Sequence, residues 1–206
     1  VRGISKYLMT NNTDAEATDA QEVTSVNSNG FTLGTSNNAN RSGYTFVGWQ
    51  WQAGQGTTSS NTNGSITSTV SVNATAGFSI VTYTGNGVNG ATVGHGLGVA
   101  PKMVIVKSRT TAGDEWCVWH TSLTNATYYL YLNATSGQAV DTTFWNSTAP
   151  TSSVFSIGSS GELNYSGELM VAYCWAEIDG FSKFGIYTGN GSSDGPFVYT
   201  GFRPKF

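Results

Sequence analysis

Residues 77–87 read GFSIVTYTGNG and residues 180–191 read GFSKFGIYTGNG, and this echo decides how the rest of the chain is read. It continues at a separation of 103, where Gly98, Pro101 and Lys102 recur as Gly201, Pro204 and Lys205. A second echo, at a separation of 124, relates residues 1–53 to residues 125–177. It matches Tyr7 with Tyr131, Leu8 with Leu132, Phe31 with Phe155, Gly34 with Gly158, Asn40 with Asn164, Gly43 with Gly167 and Trp51 with Trp175. Self-similarity at fixed separations marks tandem or arrayed architectures.

The order of the pieces matters. Residues 77–179 read as one complete unit, with 77–103 as its front half and 125–179 as its back half. Residues 1–53 resemble a back half alone, and 180–206 a front half alone. Residues 104–124 (VIVKSRTTAGDEWCVWHTSLT) have no second copy, and the polar, low-complexity stretch 54–76 reads as a linker, with Ile66–Val72 as its candidate extended segment. Two explanations stand side by side. The chain is an excerpt of a longer array, or the 180–206 half of one subunit pairs head to tail with the 1–53 half of the next.

Charged residues make up 10% of the 206 residues, against about 25% in an average soluble protein. Asn, Ser, Thr and Gly must then carry the solubility, a balance that suits extracellular structures. Aromatic residues at 13% supply enough apolar surface for a core. The net charge of −3 lacks the basic footprint that nucleic acid requires. No apolar run is long enough to span a membrane as a helix, and no signal-peptide pattern stands at the start. Cys117 and Cys174 read best as free, buried small hydrophobes, with a disulfide as the alternative.

Strand signals dominate. Phe78–Tyr83, Lys102–Lys107, Trp116–His120, Thr127–Leu132, Val154–Ile157 and Leu169–Glu177 are short runs rich in β-branched and aromatic residues, bounded by Asn, Gly, Ser and Asp. Tyr44–Gln52 alternates, with Val47, Trp49 and Trp51 on one face; Leu169, Val171, Tyr173 and Trp175 form the same stripe in the other copy. Trp51 and Trp175 are therefore expected in the core. The Asn-Gly pairs at 29–30, 63–64, 86–87, 89–90 and 190–191 predict tight turns and hairpins. Helix signal is thin, the best segment being Ala15–Gln21 behind a capping Asp14. The expected fold is all-β, built as tandem antiparallel β-sandwich-like repeat units.

No constellation specifies chemistry. His95, in the glycine-rich stretch 93–98, and His120 are expected on the surface or in turns, and no nucleophile motif accompanies them. The loop around His95 lacks the Lys-Ser/Thr ending of a phosphate cradle. The carboxylates Asp141, Glu162, Glu168 and Asp179 have no spacing that defines a pair, and no calcium loop is recognisable. The expectation is a non-enzyme with no catalytic residue, cofactor or metal. Among the tryptophans, Trp145 lies in the polar loop 141–150 opposite Gln21 of the other copy, which makes it the candidate glycan contact. Asn40 and Asn164 are matched sequons and candidate glycosylation sites, although a shared turn preference explains their recurrence equally well.

The strings GFSIVTYTGNG, VGHGLGVAPKMVIVKSR, SSVFSIGSS, VAYCWAE and GFSKFGIYTGNGSSDGPFVYTGFRPKF resemble a repeat of virion tail-fibre and appendage proteins of aquatic phages, including those of cyanobacteria. VRGISKYL, SNGFTLG and YTFVGWQW fit the same pattern. The resemblance covers nearly the whole chain. It implies a structural, surface-exposed role on a virion or outside cells, in a self-assembling fibre that attaches to host surfaces. A lectin-like carbohydrate-binding module is the alternative. The implied partners are further copies or neighbouring repeat units, head to tail, and host-surface glycans, with neither nucleic acid nor membrane.

Overall fold

The computed structural model describes residues 3–204. Its elements in chain order are β1 (Lys6–Tyr7), β2 (Ala17–Thr18), β3 (Val23–Asn27), β4 (Gly30–Leu33), α1 (Asn37–Asn40), β5 (Ser59–Asn61), β6 (Ser68–Asn73), β7 (Phe78–Thr84) and β8 (Ala91–Gly94). Then follow β9 (Met103–Ser108), β10 (Cys117–His120), β11 (Tyr128–Tyr131), β12 (Ala139–Val140), α2 (Thr142–Trp145), β13 (Val154–Ile157), α3 (Gly161–Asn164) and β14 (Leu169–Trp175). The fold is all-β and its ladders are antiparallel, with three single helical turns inserted.

One eight-stranded sheet dominates, in the order β12-β11-β10-β9-β14-β7-β6-β5. Its centre is β14, which pairs with β7 from Leu169↔Thr84 to Trp175↔Phe78 and with β9 from Met170↔Ser108 to Trp175↔Met103. A ribbon of β8 and β13 covers one face, joined by a parallel bridge from Ile66 to Val93. Between sheet and ribbon lies the main core: Val81, Val93, Val104, Val106, Phe155, Ile157, Leu163, Met170 and Cys174, each fully buried, with Trp145 beside them. The opposite face carries a smaller cluster of Ile105, Trp116 and Val118, covered by Leu8, Met103, Leu130, Tyr173 and Trp175.

Strands with apolar runs lie where their sequence places them, but four readings need correction. Residues 54–76 are not a linker: they supply β5, β6 and the Ile66 bridge. Polar Ser68 and Ser71 can be buried there because strand geometry satisfies their backbones, and the Ser68 hydroxyl donates to the Gly94 carbonyl at 2.7 Å. Ala15–Gln21 holds the short strand β2 instead of a helix. Tyr44–Gln52 forms no strand, and Trp51 is 49% exposed. Finally, the bulky stripe of β14 faces the smaller cluster. The main core takes Met170, Ala172 and Cys174, and Trp175 is half-buried against Phe78, ring centroids 5.1 Å apart. On β14 itself the main core takes the smaller side chains because its aromatic filling, Tyr83, Phe144, Trp145 and Phe155, comes from other elements.

The chain's two back-half segments share their local geometry. Asp141 Oδ1 accepts from the Thr143 amide at 2.8 Å, as Asp19 Oδ1 accepts from the Gln21 amide at 2.7 Å. Thr127 accepts from the Asp141 amide as Ser5 accepts from the Asp19 amide, each at 2.9 Å. These matches run at a separation of 122 (Asp19 to Asp141), so the ungapped pairing of Tyr7 with Tyr131 is two residues out of step before residue 22; Tyr7 corresponds to Tyr129. Beyond the β3–β4 hairpin the separation is 124. There α1 and α3 coincide, and the Asn40 amide bonds Ser36 at 2.8 Å as the Asn164 amide bonds Ser160 at 3.0 Å.

Candidate functional site

The most elaborate polar contact in the fold joins the front half, 77–103, to the back half, 125–179. It centres on Asn164, which is 1% exposed. Its Nδ2 donates to the carbonyls of Gly158 and Val88, both at 2.9 Å, while Oδ1 accepts from the Asn86 amide at 2.9 Å. The Asn164 carbonyl accepts from the Gly87 amide at 2.9 Å. Around this knot the Gly85 amide donates to Glu168 and the Gly167 amide to Gly85, each at 2.9 Å, and the Tyr83 hydroxyl donates to Leu163 at 2.8 Å. One side chain thus ties its own helical turn to two loops, at 86–88 and at 158, and both its amide hydrogens and its oxygen are satisfied.

Sequence explains why the loop fits. In Thr84-Gly85-Asn86-Gly87, a Cβ on Gly85 would lie 2.3 Å from the Tyr165 carbonyl oxygen, so only glycine permits the approach. Gly87 holds φ +69°, and Asn86 Oδ1 accepts from the Val88 amide at 2.9 Å, closing an Asx turn. This Asn-Gly is not a hairpin: it carries the chain from the large sheet into the β8–β13 ribbon.

Both partners of this contact have an open copy. Asn40 is exposed, with Nδ2 donating to the Gly34 carbonyl at 2.7 Å just as Asn164 bonds Gly158. Tyr44 and Glu168 close matching turns on Arg41 and Tyr165 at 3.2 and 3.1 Å, around Gly43 at φ +81° and Gly167 at φ +88°. In the second front half, Gly191 holds φ +67° and Asn190 Oδ1 accepts from the Ser192 amide at 3.0 Å. Gly189 meets nothing within 4 Å where its counterpart Gly85 is hemmed in.

Other sites are buried ionisable groups. Lys107 is fully buried and donates to the carbonyls of Ser108 at 3.0 Å and Thr13 at 3.4 Å; burial pulls its pKa down. Burial, and then the charge of Glu168, push Asp114 up to about 6. Cys117 Sγ lies 3.1 Å from Glu162, which also accepts from the Tyr131 hydroxyl at 2.9 Å, and burial drives the thiol well above its usual range. A thiol held protonated is a poor nucleophile. Both cysteines are free and buried. His95 is buried, not on the surface: Nδ1 accepts from the Leu97 amide at 3.2 Å and Nε2 donates to the Thr151 carbonyl at 3.1 Å. Among the described residues no group of three or more His, Cys, Asp or Glu side chains could hold a metal ion.

The candidates read from sequence fare unevenly. Trp145 is 1% exposed and unavailable to a glycan, because Asp141 caps the α2 turn that rolls the ring into the core. Asn164 cannot carry a glycan in this fold, since its amide is consumed inside the knot. Asn40 remains at the surface. Trp49 and Trp51, at 64% and 49%, are the exposed tryptophans instead, edge to face with centroids 6.5 Å apart.

No curated protein and no solved structure matches the chain significantly. A family model, described as a domain of unknown function, DUF7483, matches residues 1–206, and the chain belongs to that family.

Proposed function

We propose that this chain is a structural part of an extracellular fibre or virion appendage, built from β-sandwich-like units that join front half to back half in tandem. The observation that carries this reading is the duplicated contact: one front–back pair closed around Asn164, and a second pair of halves with the same turns, left open. The resemblance to phage appendage repeats and the low charge agree with it. The role is mechanical and adhesive. No enzymatic step is assigned, since the buried thiol and the buried lysine serve packing and backbone bonding.

Attachment to host-surface glycans would complete such a role, and it is the content of the lectin alternative. The exposed Trp49–Trp51 pair is the feature that favours it, because sugars stack on exposed aromatic faces. Negative-stain electron microscopy of the purified chain tests the fibre reading: filaments with a regular axial repeat are expected, and compact particles at all concentrations would overturn it. Glycan-array binding lost in Trp49→Ala would favour the adhesive arm.

A further inference from the structure

We infer that residues 182–192 of one chain dock on residues 34–51 of a second copy, in a register set by the chain's own β7–β14 contact; this rests on the assembly reading above. The template is internal. Thr84–Gly87 seats on Asn164–Gly167 through the bonds already described, and each half of that contact has a second version in the same backbone state. Both open versions are therefore preorganised, which lowers the cost of ordering them on contact.

The register follows residue by residue. Gly189 and Asn190 correspond to Gly85 and Asn86, 104 positions earlier, and Asn40 to Asn164, 124 later. The Asn190 amide then donates to Asn40 Oδ1, Asn40 Nδ2 reaches the Ser192 carbonyl, the Gly191 amide donates to the Asn40 carbonyl, and the Gly43 amide to Gly189. Strand pairing continues along the chain: Leu169↔Thr84, Met170↔Tyr83 and Val171↔Thr82 in the closed unit become Thr45↔Thr188, Phe46↔Tyr187 and Val47↔Ile186 between copies. The surfaces that meet are apolar and open, with Phe46 at 53%, Val47 at 78%, Ile186 at 77% and Tyr187 at 70% exposure. Of their counterparts, Met170, Val171 and Tyr83 are at 4% or less, and Thr82, which stands where Ile186 does, is half-buried. Strand addition gives such a contact affinity from main-chain bonds and specificity from alternate side chains.

Mixtures of chains that each carry one added surface cysteine test it, with unmixed wild type, whose Cys117 and Cys174 are buried, as the control. Val47→Cys chains oxidised with Ile186→Cys chains, and Phe46→Cys with Tyr187→Cys, should give cross-linked dimers in at least one mixture, since bonded and non-bonded pairs alternate and the latter are closer. Val47→Cys with Tyr187→Cys, whose side chains point to opposite faces, should not. Adding Gly189→Ala should abolish the cross-link while leaving the melting temperature unchanged, because Gly189 is in open space within its own chain. In-register cross-links blocked by Gly189→Ala support the docking. Equal cross-linking in all mixtures, insensitivity to Gly189→Ala, or cross-linking only within a single chain carrying both cysteines would overturn it. Filaments without in-register cross-links would sink the docking but keep the fibre, whereas in-register cross-links without filaments would do the reverse.

Discussion

The two back halves differ chiefly in whether something lies on them. In residues 125–179, Phe155, Ile157, Met170 and Val171 are fully buried, and 169–175 is the central strand of the sheet. In residues 3–53, Phe31 is 41% exposed and residues 44–53 are no strand, yet the Asx turn at Asp19, the α1 turn, the Asn40 bond to Gly34 and the positive φ of Gly43 all persist. The first half keeps its short-range hydrogen bonds and its local ladders, β1–β2 and β3–β4. What it lacks is a ladder from residues 44–53 to a distant segment, such as β14 makes with β7 and β9.

The largest test of that contrast is apolar truncation. Phe155→Ala should cost about 3–5 kcal/mol, as a fully buried aromatic does, whereas Phe31→Ala should cost under about 1 kcal/mol in the monomer. Chemical denaturation of the two variants measures both. Equal costs would mean the first half is packed after all.

Next comes the knot. Asn164→Ala removes three hydrogen bonds at once, a buried one to Gly158 and part-buried ones to Asn86 and Val88, for a loss of about 3 kcal/mol at about 1 kcal/mol each. Asn40→Ala removes one solvent-exposed bond to Gly34 and should cost about 0.5 kcal/mol. If dilution through an assembly transition raised the Asn40→Ala deficit in the assembled form, that would sharpen the likeness between the two residues. Smaller still is the tryptophan pair. Half-buried Trp175, ringed by Phe78 and Tyr173, should lose about 2 kcal/mol on truncation, and exposed Trp51 about 1 kcal/mol. Thermal melts of Trp175→Ala and Trp51→Ala decide the order.

Strands such as 103–108 and 154–157 were legible because short runs rich in Val, Ile and Phe between turn residues state the element, while their burial on both faces leaves no alternation to read. Less visible was anything that depends on a distant partner. The extended segment 66–72 was visible, but its place in the sheet was not, because Ser68 is buried by donating to the Gly94 carbonyl and Ser71 by accepting from the Gly54 amide; Trp145 was hidden by a cap that turns a polar loop inward. The alternation in Tyr44–Gln52 meets no pairing strand in this structure, and 44–53 forms no strand. The two-residue slip came from Tyr129-Leu130-Tyr131-Leu132, a string that matches Tyr7-Leu8 in two registers. For the site, the recurrence of Asn40 and Asn164 pointed to the right positions, and the shared turn preference describes both, while the amide of Asn164 is taken up in a tertiary cap that leaves no place for a glycan there. Lys107 gave no advance sign, because a lysine in an apolar run is read as facing solvent.

The mildest contrast concerns acid, and it separates the two front halves. His95 lies in the closed one, while the region around Val198–Gly201 in the other has no histidine. Burial lowers the pKa of His95, and the Thr151 carbonyl opposes that drop only partly. The geometry agrees: Nδ1 already accepts from the Leu97 amide, so a second ring proton would face an N–H. The unfolded chain takes up that proton near pH 6.5. The folded chain does so only at lower pH, so it binds fewer protons in the interval and loses stability as pH falls. Stability from this group is complete above about pH 6.5 and declines below it until the lowered folded pKa is reached. The effect should appear as a fall of a few degrees in melting temperature between pH 7 and pH 5, flattened in His95→Gln, which keeps one donor and one acceptor. Asp114 works in the opposite sense, because its pKa is raised to about 6 and its protonation favours the fold as pH drops. The difference between wild type and His95→Gln isolates the histidine from that compensation. A difference that stays constant from pH 7 to 5 would show that His95 is not protonated on unfolding, and that acid does not distinguish the closed half from the open one.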